Sequence, residues 1–311
     1  MLSRTASNLY WIGRYMERAE FTTRLIEATI RLSSLSGDAQ AAQAWRSALA
    51  VMGEMAAFKR WGENFTPFNI SRYLTLAEEN PNSVRSCLHL ARSNARAART
   101  ALTREAWEAI NRAWLSVRGR SSPGGAQATL NMVEAIKAET RGFEGAVARM
   151  LRKEAYWFLR LGSVIERGDN TARLLDVKYY LLLPRGEEVG GALDRDQWTT
   201  ILHTVSARTA YRHIYQDALK PWLVADLLVF RRELPRSLLA STAEAVELLS
   251  DLGDRSGRQG EADRLARQRE REMLDTDMDA VFAKGLHQFL ARFIADSSAL
   301  DRAIAAQFRF G

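Results

Sequence analysis

The segment Glu17-Arg18-Ala19-Glu20-Phe21-Thr22-Thr23-Arg24-Leu25-Ile26-Glu27 recurs as Glu166-Arg167-Gly168-Asp169-Asn170-Thr171-Ala172-Arg173-Leu174-Leu175-Asp176, 149 residues further along a chain of 311. Both copies read acid-Arg-x-acid-x-x-x-Arg-Leu-aliphatic-acid. Charged residues that only keep a helix soluble drift freely, so the same ones in the same register in both halves need a reason. Repetition also has to be settled before any fold assignment, because a missed repeat misplaces the whole architecture.

Further matches keep this order. Trp45 pairs with Trp198 and Phe58 with Tyr211 at an offset of 153, and Pro67, Tyr73, Pro81 and Ser83 pair with Pro221, Leu227, Pro235 and Ser237 at 154. The drift is small enough to predict two tandem units, 1–150 and 151–311, each too divergent to be a short solenoid repeat. Each opens with a helix longer than its own half needs, and no Pro- or Ser-rich linker lies near 150. A single domain over 1–311 with internal pseudo-symmetry is expected, rather than two independent ones.

Helical periodicity runs almost throughout. Ser3 reads as an N-cap, no Pro follows until well past Ser33, and Leu9, Ile12, Met16, Ile26 and Ile30 recur at helical spacing. Residues 83–118 and 126–183 read as two more long helical stretches, the second interrupted near Gly142 and Gly145. Breaks are expected at 36–38, 121–125, 184–191 and 253–260, where Gly, Pro, Ser and Asp cluster. No segment alternates with period two between turn signals. The expected class is all-α, a long-helix bundle of two pseudo-symmetric repeats, and 47% apolar residues suffice for a large core.

A lone cysteine, Cys87, rules out an intramolecular disulfide and a cysteine metal cluster within one chain, which points to a reducing cytoplasm. Residues 1–20 mix Arg and Glu among apolar residues and lack a signal-peptide core, and Tyr179-Tyr180-Leu181-Leu182-Leu183 falls far short of the roughly 20 residues that span a bilayer. The formal charge of +7 favours anions, yet Arg alternates with acids and no run of five basic residues occurs. Neither nucleic acid nor a membrane is therefore an expected partner. One basic stripe stands out, Arg92, Arg96 and Arg99 with Asn94 nearby. It is either a solvated helix face with partners on its neighbour or a forked grip for carboxylate or phosphate.

On a helix, positions 17, 20, 24 and 27 share one narrow stripe, as do 166, 169, 173 and 176. Gly13 and Gly162 each precede the first acid by four residues. A helical glycine costs about 1 kcal/mol against alanine, so its double occurrence suggests close approach of another backbone or a ligand. Three readings follow. The stripes are exposed salt-bridge ladders, or a buried network fixing how the halves dock, or the walls of a shared polar cavity. In the last case Glu17, Glu20, Glu166 and Asp169 are the acid–base candidates, while Arg14, Arg18, Arg24, Arg167 and Arg173, with Asp176, would hold a carboxylate or a zwitterionic amino acid or peptide terminus. Arg92, Asn94 and Arg96 are added as anion contacts. Metal is not expected, since His89, His203, His213 and His287 lie outside both copies and the arginines would repel a cation. No phosphate loop, dinucleotide fingerprint, nucleophile elbow or zinc-binding His-Glu motif is present, and no cofactor is expected.

Residues 1–20, Met-Leu-Ser-Arg-Thr-Ala-Ser-Asn-Leu-Tyr-Trp-Ile-Gly-Arg-Tyr-Met-Glu-Arg-Ala-Glu, resemble the start of the bacterial alpha-E domain family. So do the stretch from Asn82-Ser83-Val84-Arg85 to Asn94-Ala95-Arg96, then Trp107-Glu108-Ala109-Ile110-Asn111, residues 166–179, and Pro235-Arg236-Ser237. The resemblance spans essentially the whole chain. It implies an all-α cytoplasmic protein encoded beside, or fused to, a circularly permuted ATP-grasp ligase-like protein, often with a transglutaminase-like peptidase. That company implies a role in making or handling a peptide or amide-linked molecule, with the ligase and peptidase as separate partners here. Two functions follow as expectations: an accessory module binding the ligase or its product, or an enzyme of peptide or amide chemistry using the acid–arginine helices.

Overall fold

The computed structural model describes residues 1–34, 37–181, 192–257 and 259–310, with the backbone alone for 179–181 and 192–193. Among the described residues there are α-helices and no strand, so the chain is all-α. In chain order they are α1 (Ser3–Ser34), α2 (Asp38–Val51), α3 (Met55–Trp61), α4 (Pro67–Thr75), α5 (Val84–Ala97), α6 (Arg104–Leu115), α7 (Ala126–Ala148) and α8 (Glu154–Leu181). There follow α9 (Ala192–Thr204), α10 (Arg208–Tyr215), α11 (Pro221–Phe230), α12 (Leu238–Ser256), α13 (Glu261–Leu274), α14 (Met278–Lys284) and α15 (Leu286–Phe308). The expected break at 184–191 lies outside the described residues, as do Ser36 of the first break and Leu182 and Leu183 of the Tyr179–Leu183 run.

Two long stretches are more divided than periodicity suggests. The stretch 83–118 is split by Thr103, whose side chain accepts from the Ala106 N–H and starts α6 afresh after a short 3-10 turn at Arg99–Ala101. The stretch 126–183 breaks between Ala148 and Glu154, not at Gly142 or Gly145, which sit inside α7 with open space where a Cβ would stand. A straight helix of that length would reach roughly 87 Å, whereas α7 and α8 must both return to α1. Similarly, α12 runs through Gly253 and stops only at Gly257, in the left-handed region with φ +64°.

The long helices α1 and α8 form the axis of the molecule and make its most extensive helix–helix contact. α5 and α7 pack on α1, and α12 and α15 pack on α8. Residues matched in sequence take matched places: Pro67 opens α4 and Pro221 opens α11, while Ser83 caps α5 and Ser237 caps α12, each accepting a backbone N–H three residues on. Trp45 and Trp198, Phe58 and Tyr211, and Tyr73 and Leu227 are all buried. One connected apolar core runs from Ala6 to Phe308, and α1 is buried around most of its circumference. Among the described residues no helix is long and apolar enough to cross a membrane. Cys87 is buried, and burial pushes its thiol up to about 12.

Candidate functional site

The centre of the molecule is a crossing of two helices at two glycines. A Cβ on Gly13 would stand 2.0 Å from the Leu159 carbonyl oxygen and 2.9 Å from the Ser163 nitrogen. A Cβ on Gly162 would stand 2.0 Å from the Tyr10 carbonyl oxygen and 3.2 Å from the Arg14 nitrogen. Only glycine permits this approach, and the neighbour is backbone, which cannot swing aside. The two contacts are reciprocal, since Tyr10 and Arg14 match Leu159 and Ser163 at the 149-residue offset.

One turn beyond, the Glu-Arg pairs exchange partners across the crossing. Arg167 donates from Nε and Nη2 to the two oxygens of Glu17, at 3.1 and 2.7 Å. Arg18 donates from Nε and Nη2 to the two oxygens of Glu166, at 2.6 and 2.9 Å. These are forked, bidentate pairs, the geometry in which guanidinium meets carboxylate most favourably. Each glutamate takes a second arginine: Arg14 Nε lies 2.7 Å from Glu166, and Arg236 Nη1 lies 2.7 Å from Glu17. Arg236 also reaches Glu20, which is gripped from its own helix by Arg24 at 2.6 Å. Arg14 continues to Asp301 on α15, which Tyr10 also contacts, and Arg18 donates to Asn82.

Burial alone would raise both central carboxyls. Burial pushes Glu17 up, but Arg167 and Arg236 outweigh it and hold the group down at about 2. Glu166 is likewise raised by burial and brought down to about 2 by Arg18 and Arg14. Asp169 behaves differently. Burial raises it, and Arg173 at 2.7 Å, with Arg14 further off, only partly offsets that.

The stripes meet, but not along their whole length. About ten residues of helix span roughly 15 Å, so crossing helices carry the stripe ends apart. Glu27 pairs with Lys137 and Arg31, and Asp176 lies 2.6 Å from His287 Nδ1. Arg24 donates to Ser206 in the turn after α9, and Arg173 lies beside Gly53 in the turn after α2. Both turn residues have positive φ, +56° and +73°. The two stripes therefore do not wall one shared cavity. Beside Glu17, Glu20 and Arg167 there is a space of about 20 Å³, enough for a water and too small for an amino acid. A larger polar cleft, about 510 Å³, opens further along α1 between Arg24, Glu27, Arg31, Glu134, Lys137, Arg141 and His203.

The Arg92 stripe joins none of this. Arg92 Nε donates to Asn111 at 2.8 Å, Arg92 and Arg99 lie over the Trp107 ring, Asn94 is half-buried and Arg96 is exposed. Its partners are on the neighbouring helix, but they are an amide and an indole rather than acids. Sequence reasoning misses Arg236, Asn82, Asp301 and Glu54, the last buried and accepting from Tyr73 and Asn82. Asn82 and Arg236 could have been found as the middle residues of the matched Pro81–Ser83 and Pro235–Ser237 triplets.

A family model described as a predicted alpha-helical domain with a conserved ER motif matches residues 1–308. The chain belongs to the Alpha-E family. The Glu-Arg pairs at 17–18 and 166–167, which form the crossing, fit the motif in that description. Comparison with curated proteins and with solved structures gives no match.

Proposed function

We propose that this Alpha-E chain is a non-catalytic accessory protein of an ATP-grasp-type amide or peptide ligase system. One observation carries the reading. Glu17 and Glu166, the best-placed acid–base candidates, each accept from two arginines inside the crossing, which holds both carboxyls below the ordinary range, and the space beside Glu17 takes a water but no substrate, so neither is placed to exchange a proton with one. The reciprocal crossing supports descent of the two halves, 1–150 and 151–311, from one duplicated unit within a single cytoplasmic domain. In this reading the Glu-Arg pairs fix the angle at which the halves dock, and the cleft at the far end of α1 does the binding.

Four of the residues that line the cleft are Arg or Lys against two Glu. That balance suits an anionic group of the ligase surface or of its peptide product. Co-purification with the separately encoded ligase at micromolar concentration tests the idea. A complex is expected in size-exclusion chromatography, and the double variant Arg31→Glu/Arg141→Glu, which alters two half-exposed side chains, should dissolve it without lowering the melting temperature. Absence of a complex, or a complex indifferent to both reversals, overturns it.

The enzyme reading draws on Asp169 alone, the acid whose carboxyl burial moves toward neutrality. If the ligase system forms an amide only with this chain present, Asp169→Asn should stop turnover and leave the fold intact on that reading. Full turnover by the variant removes it.

A further inference from the structure

Away from the crossing, α13, α14 and α15 line a half-open cavity of about 460 Å³. That lies within the roughly 300–1,000 Å³ typical of small-molecule sites. Met273, Val281, Phe289 and Phe293 give it apolar walls, and Arg269 lines it as well. Arg269 is only 9% exposed, and its guanidinium lies 4.4 Å over the Phe293 ring. It donates to Ser297 Oγ at 3.1 Å and to the Phe293 carbonyl at 3.3 Å. Both acceptors are neutral.

Among the described residues the other deeply buried arginines meet carboxylates: Arg14 meets Glu166 and Asp301, and Arg167 meets Glu17 and Glu144. Arg269 meets none within ion-pair distance among the described residues. The acids at the cavity mouth, Glu272 and Asp296, are instead engaged by Arg292 at 2.9 and 3.7 Å. A guanidinium carries five N–H donors in a planar fork matched to a carboxylate, and the described residues offer this one two neutral acceptors. Burying a cation this way is costly unless something anionic completes it. Burial does pull Arg269 down, to about 10, which leaves it charged at neutral pH. The lining charges balance, Arg269, Lys284 and Arg292 against Glu272, Asp275 and Asp296, so it is the apolar wall beside Arg269 that favours a carboxylate with an apolar body over bare phosphate.

We propose that the cavity between α13, α14 and α15 binds a small carboxylate with an apolar body, such as an acylated amino acid or the last residue of a short peptide. The carboxylate meets the fork of Arg269, and the apolar body lies on Met273, Val281 and Phe289. The site shares no residue with the basic cleft on α1 and stands whether or not that cleft binds a ligase.

Isothermal titration of the full chain with N-acetylphenylalanine, its neutral amide and inorganic phosphate tests the proposal. The acid should bind with a Kd of about 1 mM or tighter, and the amide about tenfold more weakly or worse. Arg269→Gln should reduce acid binding to the level of the amide. Ala280→Trp, which fills the cavity from α14 and keeps Arg269 in the sequence, should abolish binding, and it keeps the test alive if Arg269→Gln fails to fold. Equal binding of acid and amide, phosphate binding as tightly as the acid, undiminished binding by Ala280→Trp, or no heat from the acid overturns the proposal.

Discussion

Glu166 accepts from two arginines of α1, so removing its charge would leave Arg14 and Arg18 facing each other in a closed space. Breaking a buried pair from one side costs about 3–5 kcal/mol, far more than the net worth of the intact pair. Glu166→Gln is expected to destabilise the fold by that order in urea titration, whereas Glu108→Gln, in the exposed Arg104 pair, should leave the midpoint where it is. The same pairs set a pH dependence. Glu17 and Glu166 are held near 2 in the fold against an ordinary 4.5, so their contribution is complete above 4.5 and drains away as the pH falls toward 2. Acid titration of stability should therefore show a steep loss between pH 5 and 2, shallower in Glu166→Gln, and a curve of equal slope in both proteins would contradict the assignment. The spacing 17, 20, 24 makes the stripe itself legible in the sequence, because helical geometry puts those positions on one face. Arg236 and Asp301 are not legible that way. They arrive from 219 residues after Glu17 and 287 residues after Arg14; only the matched Pro235–Ser237 triplet marks Arg236, and nothing local marks Asp301.

At the scale of helices, α1 and α8 can approach only because each carries a glycine at the contact. The two glycines are readable from sequence as an unexplained helical cost repeated at one offset, but the identity of what approaches is not. A neighbouring backbone and a ligand place the same demand on the residue. Gly13→Ala and Gly162→Ala are each expected to cost about 2–3 kcal/mol, since a methyl 2.0 Å from a carbonyl oxygen forces the helix axes apart. Gly142→Ala in α7, where the added methyl meets open space, should instead stabilise by about 0.5–1 kcal/mol. Denaturant midpoints of the three variants check this, and a stabilising Gly13→Ala would mean that the helices do not touch there. Helix ends were harder to read than helix faces for a related reason. Thr103 starts α6 with a single side-chain cap, and the turn between α7 and α8 contains neither Gly nor Pro, so composition leaves no trace of either.

For the molecule as a whole, the consequence is that each half supplies the surface the other needs. α1 lies in 1–150 and α8 in 151–311, and the core residues Leu9, Tyr10 and Ile12 sit in the helix whose largest contact is α8. Severing the chain would expose that apolar face together with Glu17 and Arg18, stripped of Arg167 and Glu166. Two domains joined by a linker would unfold separately, whereas a shared axis ties their unfolding together. Urea unfolding is accordingly expected to give one midpoint, identical by far-UV circular dichroism and by tryptophan fluorescence. Residues 1–150 and 151–311 expressed apart should show little cooperative structure and regain it when mixed, because the bidentate pairs and the glycine contact can form between separate chains as well as within one. Two resolved transitions, or a half that folds cooperatively alone, would mean that the crossing is a contact between finished domains, and the ion pairs would then be tuning an interface rather than completing a core.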